Sequence, residues 1–170
     1  LLPMHDLNVP ITPGAEQGLV WLGVADLKGL EVETDPVFLG LLDGVAHFVV
    51  DVSGHEPAVK ELQDSRKLTF EDARAAAEYL SGADSGIIAQ ARAQLSWHNR
   101  HGFCSVCGHE TGIARGGQVR RCPKCETEHY PRTDPVVIAV VTDQDRCLLG
   151  QSRGRLVQMR RYSALAGFID

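Results

Sequence analysis

Two Cys-x-x-Cys pairs constrain this chain more than any other sequence feature. The pairs are Cys104/Cys107 and Cys122/Cys125, with a short loop or hairpin between them. In each pair the two-residue gap lets a tight turn aim both sulfurs at one ion, and four thiolates complete the tetrahedral shell that zinc prefers. Residues 103–132 lack a regular apolar pattern, so such an ion would replace a missing core. The spacing predicts a structural zinc site; two disulfides, unpaired thiols or an iron site are the alternatives.

The overall composition excludes several classes of protein. The 170 residues are 44% hydrophobic and 23% charged, which is typical of a soluble globular protein. No apolar run approaches the roughly 20 residues of a membrane span, and residues 1–13 show no signal-peptide pattern. The net charge of −5 argues against a nucleic-acid binder held by overall charge. Because four of the five cysteines form tight pairs, a reducing compartment is indicated, and the cytoplasm is the expected location.

The first half of the chain is rich in strand and turn signals. Apolar residues 37–42 and 45–52 flank Asp43-Gly44, a dipeptide that supplies the positive φ angles of a two-residue type I′ turn. This pattern predicts a β-hairpin. Residues 19–24 are a further strand candidate, and Pro57 is expected in a turn between short strands.

Two helices are predicted after these strands. Thr69, with an acidic residue three positions on, is the expected N-cap of the first, which ends before Ser81. Asp84 or Ser85 is the expected N-cap of the second, which ends near Gly102. Apolar residues recur at helical spacing in each, on Phe70, Ala73, Ala77 and Leu80 in the first and on Ile88, Ala91, Leu95 and His98 in the second.

A continuous β-branched run follows the cysteine segment. Residues 135–142 have the composition of a strand buried on both faces, and residues 147–150 return as a second strand in which Cys147 is expected to be buried. A strand covered on both faces needs a layer on each side, and the 35 residues after Pro135 are too few to supply both. With Leu rather than Met at position 1, this predicts a processed product or a part of a longer protein.

Four segments carry a more specific signal than the cysteine spacing alone. They are Trp97-His98 with His101-Gly-Phe-Cys104-Ser-Val-Cys107-Gly-His109, Arg121-Cys-Pro-Lys-Cys125, His129-Tyr-Pro-Arg-Thr-Asp-Pro-Val-Val137, and Leu165-Ala-Gly-Phe-Ile-Asp170. The Tyr-Pro before an apolar strand, with Ala-Gly-Phe about 30 residues later, is the most discriminating. With these motifs the chain resembles the zinc-ribbon NADH pyrophosphatases of the Nudix hydrolase superfamily, weakly before Thr69 and strongly after Trp97.

The resemblance implies an α+β fold in three parts. Residues 1–96 would form a β-rich N-terminal domain with helices, and residues 97–133 a zinc ribbon with four cysteine ligands. Residues 134–170 would form the first strands of a truncated Nudix α/β/α sandwich. Members of the family are commonly homodimers, and a homodimer is expected here.

The resemblance also implies an activity. The family hydrolyses NAD(H) between its two phosphates to nicotinamide mononucleotide and AMP, and some members also remove NAD caps from RNA. The glutamates of its Nudix box bind Mg²⁺ or Mn²⁺, which neutralise the diphosphate and activate water. Gly167 matches the first glycine of that box. The glutamates are therefore expected beyond Asp170, and the 170 residues alone are expected to be inactive.

Several positions correspond to functional residues of the family. Ala166 matches the residue whose backbone carbonyl joins the catalytic metal, and Tyr130 matches a substrate-contacting tyrosine. Arg74 corresponds to a substrate-contacting arginine, and Gly117 stands where some relatives have a glutamate that contacts substrate. The positions that match the zinc ligands are Cys104, Cys107, Cys122 and Cys125.

A second class of function is a non-catalytic zinc-ribbon module that binds nucleic acid or a protein partner. Two stretches without acidic residues, 112–125 and 146–161, would suit phosphate contacts. The first of them carries Arg115, Arg120, Arg121 and Lys124. The net negative charge and the Ala-Gly-Phe segment favour the enzyme family over this alternative.

Overall fold

The computed structural model describes residues 1–14, 17–27, 35–151 and 153–169. The chain divides into two units, residues 1–131 and residues 132–170. Among the described residues, no helix is both long enough and apolar enough to cross a membrane.

The described part of the first unit mixes short strands with three helices, which confirms the predicted α+β class. The strands are β1 (Leu2–Met4), β2 (Asn8–Ile11), β3 (Val37–Leu42), β4 (Val45–Asp51), β5 (Thr69–Asp72), β6 (Gly112–Ala114), β7 (Val119–Arg121) and β8 (Glu128–His129). The helices are α1 (Glu56–Arg66), α2 (Ala73–Ala76) and α3 (Gly82–Arg100), and two 3-10 turns cover Val24–Leu27 and Arg115–Gly117.

The predicted hairpin is confirmed as β3 and β4. Asp43 and Gly44 connect the strands with φ angles of 51° and 77°, as a type I′ turn requires. β1 adds to the other side of β4 in parallel, so the sheet order is β1-β4-β3. This three-stranded sheet is the platform on which the rest of the unit packs.

Each face of the sheet has its own hydrophobic core. Because successive side chains of a strand point to opposite faces, Val49 of β4 lies in one core and Val50 in the other. The first core includes Ile88, Ala91 and Leu95 of α3, and the second includes residues of α1. The apolar stripe predicted for the second helix is therefore the surface that anchors α3 on the sheet.

The predicted helix starts are wrong by several residues. Thr69 is no N-cap: residues 69–72 form β5, which pairs antiparallel with β2, and Asp72 caps α2 through its carboxylate, which accepts the N–H groups of Arg74 and Ala75 at 3.0 and 3.2 Å. These two N–H donors hold the pKa of Asp72 below its usual value. α3 begins earlier than predicted, with Ser81 as its N-cap. A strand partner about 60 residues away is invisible to a local pattern, which explains the first error.

Two further expectations for the N-terminal half are wrong. Pro57 lies in the first turn of α1, where its missing N–H costs no helical hydrogen bond, rather than in a loop between strands. In residues 19–24 only Leu19 makes a bridge, with Ile11, and no described residue of this segment belongs to a regular strand.

The second unit contains two separate strand pairs. Its elements are β9 (Val136–Ala139), β10 (Val141–Asp143), β11 (Arg146–Leu148), α4 (Arg155–Gln158) and β12 (Leu165–Phe168). β9 pairs antiparallel with β12, and β10 with β11. The predicted continuous strand is thus interrupted at Val140, and its side chains are exposed, as is Cys147. Both burial predictions are wrong for the described chain, because no described layer covers these strands.

The cysteine-rich segment contacts the N-terminal sheet through two glycines in the turn before β7. Gly116 and Gly117 have φ angles of 65° and 91°. A Cβ atom on Gly117 would lie 2.6 Å from Cγ1 of Val37, and Gln118 donates a hydrogen bond of 3.1 Å to the carbonyl of Phe38.

We therefore expect Gly117→Ala to destabilise the protein by about 2–5 kcal/mol, the sum of a left-handed backbone and an overpacked contact. Denaturant unfolding measures the change. Gly112→Ala is the matched control, because Gly112 lies in β6 of the same segment and a Cβ there meets no atom within 4 Å. Equal effects of the two substitutions would contradict the role assigned to Gly117.

Candidate metal centre and its surroundings

The four paired cysteines converge on one point. Cys104 Sγ lies 3.6 Å from Cys125 Sγ, and Cys107 Sγ lies 3.5 Å from Cys122 Sγ. All four sulfurs lie within 4.8 Å of one another. Cys104 and Cys122 are buried, whereas Cys107 and Cys125 reach the surface. The structure thus brings together the four residues that the sequence selects.

The two cysteine pairs lie on two separate backbone turns of the same kind. The N–H of Cys104 donates to the carbonyl of His109 at 2.8 Å, and the N–H of Cys122 donates to the carbonyl of Thr127 at 3.0 Å. The residue after each second cysteine has a positive φ, 72° at Gly108 and 61° at Glu126. Two copies of one turn, facing each other, present four sulfurs to a common centre.

The sulfur geometry fits zinc and does not fit disulfides. Sulfurs at about 2.3 Å from a tetrahedral zinc are about 3.8 Å apart, close to the observed pairs, whereas a disulfide requires about 2.05 Å.

The pKa values of two of the thiols, Cys125 and Cys107, are shifted in opposite directions. Hydrogen bonds from the hydroxyl and N–H of Thr127 lower the pKa of Cys125 to about 6. The N–H of His109 lowers the pKa of Cys107, but burial and the other sulfurs outweigh it and raise this pKa to about 12. A cation among the sulfurs would abolish this difference between the two thiols, because a coordinating thiol is deprotonated outright.

Two side chains lie within hydrogen-bond distance of the sulfurs from outside the cluster. His129 Nε2 lies 3.3 Å from Cys104 Sγ, and the hydroxyl of Thr127 lies 3.2 Å from Cys125 Sγ. The cysteine spacing did not identify His129 as a neighbour of the sulfurs. The signal was present: Thr127 and His129 lie two residues apart shortly after Cys125, so on an extended chain their side chains share a face.

His98 joins the cysteine-rich segment to α3. Its ring is 6% exposed, with Nε2 at 2.8 Å from the carbonyl of Gly117 and Nδ1 at 3.2 Å from Nη1 of Arg120. Because a guanidinium can only donate, Nδ1 is the acceptor. Nε2 therefore carries the hydrogen and donates it to the carbonyl oxygen of Gly117. Burial is the main cause that lowers the pKa of His98, so the folded protein holds the neutral ring.

Tyr130 lies at the surface in a chain of hydrogen bonds. Its ring is 55% exposed, its hydroxyl donates to Glu128 Oε2 at 2.5 Å, and Glu128 Oε1 accepts from Arg115 at 3.0 Å. The bond to Glu128 raises the pKa of Tyr130. An exposed aromatic ring held in this way can stack on a planar ligand.

Arg74 and Ala166 occupy other parts of the chain. Arg74 lies on α2 and lines a concavity of about 300 Å³ together with Arg92, Ser85 and Ile88. Ala166 belongs to the second unit, in β12 opposite Ile138 of β9. Metal-ligating side chains gather at two places in the described chain: the four cysteines, and an exposed group formed by His5, Asp6 and Glu56.

Two family models match consecutive stretches of the chain. The NADH pyrophosphatase-like rudimentary NUDIX domain matches residues 3–97, and the NADH pyrophosphatase zinc ribbon domain matches residues 99–130. The four-cysteine cluster lies within the second match and fits the structural zinc of such a ribbon.

Curated relatives match over most of the chain. The human mitochondrial NAD(P)H pyrophosphatase NUDT13 is 37% identical over 72% of this chain and 34% of its own length. The chloroplastic Nudix hydrolase 19 of Arabidopsis thaliana is 36% identical over 89% of this chain and 38% of its own length. The NAD-capped RNA hydrolase NudC of Mycobacterium bovis is 30% identical over 90% of this chain and 48% of its own length. The chain therefore spans about a third to a half of the length of these relatives.

We expect one zinc ion per chain, bound by the four cysteines. Cys122→Ser should lose the ion and unfold residues 103–131, because metal binding supplies the folding free energy of a segment with little apolar core. Elemental analysis and hydrogen exchange measure both effects. Cys147→Ser is the control, because Cys147 is exposed and lies outside the cluster. Absence of stoichiometric metal, or a disulfide in the purified protein, would contradict this assignment.

We also expect His98 to titrate below the ordinary histidine pKa of about 6.5. As the pH falls through about 6.5, His98 becomes protonated in the unfolded chain but stays neutral in the folded protein. The free energy of unfolding therefore decreases until the pH reaches the folded pKa. NMR titration of the imidazole gives the pKa. The free energy of unfolding is compared at about pH 7.5 and about pH 5.5, on either side of the ordinary value. It should decrease more between these pH values for the parent than for His98→Gln, in which nothing titrates at this position. A His98 pKa at or above the ordinary value would refute the buried neutral ring.

Proposed function

The chain belongs to the NADH pyrophosphatase family of Nudix proteins, and we propose on that basis that the protein hydrolyses the diphosphate bond of NAD(H) to nicotinamide mononucleotide and AMP. We propose NAD-capped RNA as a second substrate. The observation that carries the proposal is the consecutive match of the rudimentary NUDIX domain and the zinc ribbon over residues 3–97 and 99–130. The relatives named as NAD(P)H pyrophosphatase and NAD-capped RNA hydrolase support it.

The two kinds of metal have different roles in this proposal. Zinc bound by four cysteines has a closed shell and stabilises the ribbon without taking part in the reaction. Mg²⁺ or Mn²⁺, when bound, supplies neutralisation of the diphosphate and activation of water. Ala166 would contribute its carbonyl oxygen, but the described residues gather no carboxylates around it, and one neutral oxygen does not hold a hydrated divalent cation. We therefore place the glutamates of the Nudix box beyond Asp170 and expect no activity from the 170 residues alone.

Tyr130 and Arg74 are the proposed substrate contacts. Tyr130 offers an exposed aromatic ring for stacking on a base or nicotinamide ring, and its hydroxyl is held by a hydrogen bond to Glu128. Arg74 shares its concavity with Arg92, and guanidinium groups suit the bidentate recognition of phosphate. These features support roles in binding rather than in proton transfer.

The ribbon is a poor candidate for the alternative, a module that binds nucleic acid through its basic stretch. Arg115 pairs with Glu128 at 3.0 Å, and Arg121 pairs with Glu126 at 3.1 Å. Arg120 is engaged with Thr111 and His98. Three of the four basic residues that the sequence suggested for phosphate contacts therefore already have partners within the protein.

A cytoplasmic homodimer completes the proposal. No disulfide joins any of the five cysteines, as expected in a reducing compartment. The dimer is inferred from the family, whose members commonly form one. Sedimentation of the natural full-length protein tests the oligomeric state.

We expect Tyr130→Ala in the natural full-length protein to lower kcat/KM for NADH roughly 5- to 150-fold, with the zinc retained. The estimate follows from the about 1–3 kcal/mol that stacking contributes per base in nucleic-acid sites, at about 1.4 kcal/mol per decade. Tyr130→Phe should lose less, because it keeps the ring and removes only the hydroxyl. Steady-state hydrolysis of NADH measures all variants.

Tyr79→Ala is the matched control for this substitution. Tyr79 is also an exposed tyrosine whose hydroxyl donates to a glutamate, Glu71, at 2.6 Å. Burial and this glutamate raise its pKa to about 12. If Tyr130→Ala keeps the parental kcat/KM while its Tm falls, Tyr130 is a packing residue and the proposed contact is wrong.

A further inference from the structure

We infer that His129 is a positioning residue that ties residues 127–130, the segment that carries Tyr130, to the zinc centre, through a hydrogen bond from its Nε2–H to the thiolate of Cys104. The metal part of this inference stands on the ribbon geometry. The consequence for substrate rests on the proposed function, because it requires Tyr130 to contact NAD(H).

The direction of the hydrogen bond follows from the acceptor. A thiolate bound to zinc has no proton to give, so the His129 nitrogen at 3.3 Å must be the donor. Thr127 acts in the same way on Cys125, with its hydroxyl at 3.2 Å from that sulfur. Cys104 and Cys125 are the pair separated by 3.6 Å, so both donors reach one edge of the sulfur tetrahedron. Four thiolates outweigh the charge of one Zn²⁺, and donors at the sulfurs offset this negative excess.

The side chains of residues 127–130 alternate between two faces. Thr127 and His129 face the sulfurs, whereas Glu128 and Tyr130 are hydrogen-bonded to each other. This is the period of an extended strand, in which successive side chains point to opposite sides. The metal cluster and the tyrosine are thus attached to the two faces of the same short segment.

The segment has little else to hold it. β8 contains two residues, which pair with Arg120 and Arg121 of β7. A ladder this short is marginal without side-chain support. The thiolate bonds of Thr127 and His129 supply that support on one face. The Arg115–Glu128 pair on the other face is exposed, and exposed ion pairs contribute little.

The test uses cobalt(II) and zinc, each loaded into the natural full-length protein and its variants. In His129→Ala we expect the thiolate-to-cobalt charge-transfer band to move to longer wavelength, because the sulfur loses a hydrogen bond. Zinc loss to a chelator should become about 10-fold faster. Amide exchange of residues 128–130 should rise, and KM for NADH should rise with kcat within about twofold of the parent.

Three further variants separate the hydrogen bond from other effects. His129→Gln keeps a side-chain N–H donor and should recover part of each readout. His129→Met, of similar size but without a donor, replaces His129→Ala if that variant does not fold. His109→Ala is the matched control, because His109 is an exposed histidine of the same ribbon whose backbone, not its side chain, contacts the cysteines.

The outcomes distinguish this inference from the proposed function. An unchanged cobalt band and zinc-release rate in His129→Ala, or an equal change in His109→Ala, overturns the hydrogen bond. A shifted band with parental exchange at residues 128–130 overturns the positioning role. If band, release rate and exchange all change but neither His129→Ala nor Tyr130→Ala alters KM, the tie between zinc and strand is supported and the substrate role of Tyr130 fails.

Discussion

The convergence of four sulfurs on one point is the constraint on which the ribbon depends. Its strands β6, β7 and β8 contain three, three and two residues, too few to form a stable sheet by themselves. Among its described residues Val119 is buried together with Cys104 and Cys122, which is a small apolar core. A zinc ion bound by these thiolates would hold together two turns that are otherwise linked by a few hydrogen bonds, and the folding of the segment would follow its metal content.

The ribbon is also joined to the N-terminal sheet by polar contacts that need close approach. His98 reaches the carbonyl of Gly117, and Gln118 reaches the carbonyl of Phe38, while Gly117 lies against Val37 where a Cβ would collide. Arg120 connects these contacts to the rest of the ribbon, since it contacts His98 and pairs with His129 between β7 and β8. His129 in turn contacts Cys104. A continuous set of contacts therefore runs from α3 through β7 and β8 to the sulfurs.

This arrangement gives the structural metal an indirect part in the proposed activity. The residues that hold the ribbon together and the tyrosine proposed to contact NAD(H) occupy alternate positions along one short segment. A ring on such a segment is presented to a ligand at low entropic cost only if the segment is held still. The hydrogen bonds to sulfur meet that requirement on the face opposite Tyr130.

The sequence by itself determined the features that depend on neighbouring residues. The Asp43-Gly44 hairpin, the four cysteines of the cluster and the apolar stripe of α3 were all predicted, because turn angles, ligand spacing and helical period are local. The family motifs likewise lie in short runs. Whether Tyr130, Arg74 and Ala166 contact substrate or metal is still a prediction.

The tertiary structure alone decided what depends on a distant partner. Residues 69–72 form a strand because Asn8–Ile11 lies beside them, although their own pattern indicates a helix start. His129 was overlooked because the contact with Cys104, 25 residues earlier, exists only once both turns face each other. The apolar residues of β9 are exposed because burial depends on which layers are present, and strand composition does not specify these layers. Pairing with a distant strand and burial beneath a separate layer depend on the folded neighbourhood, and no local sequence pattern specifies them.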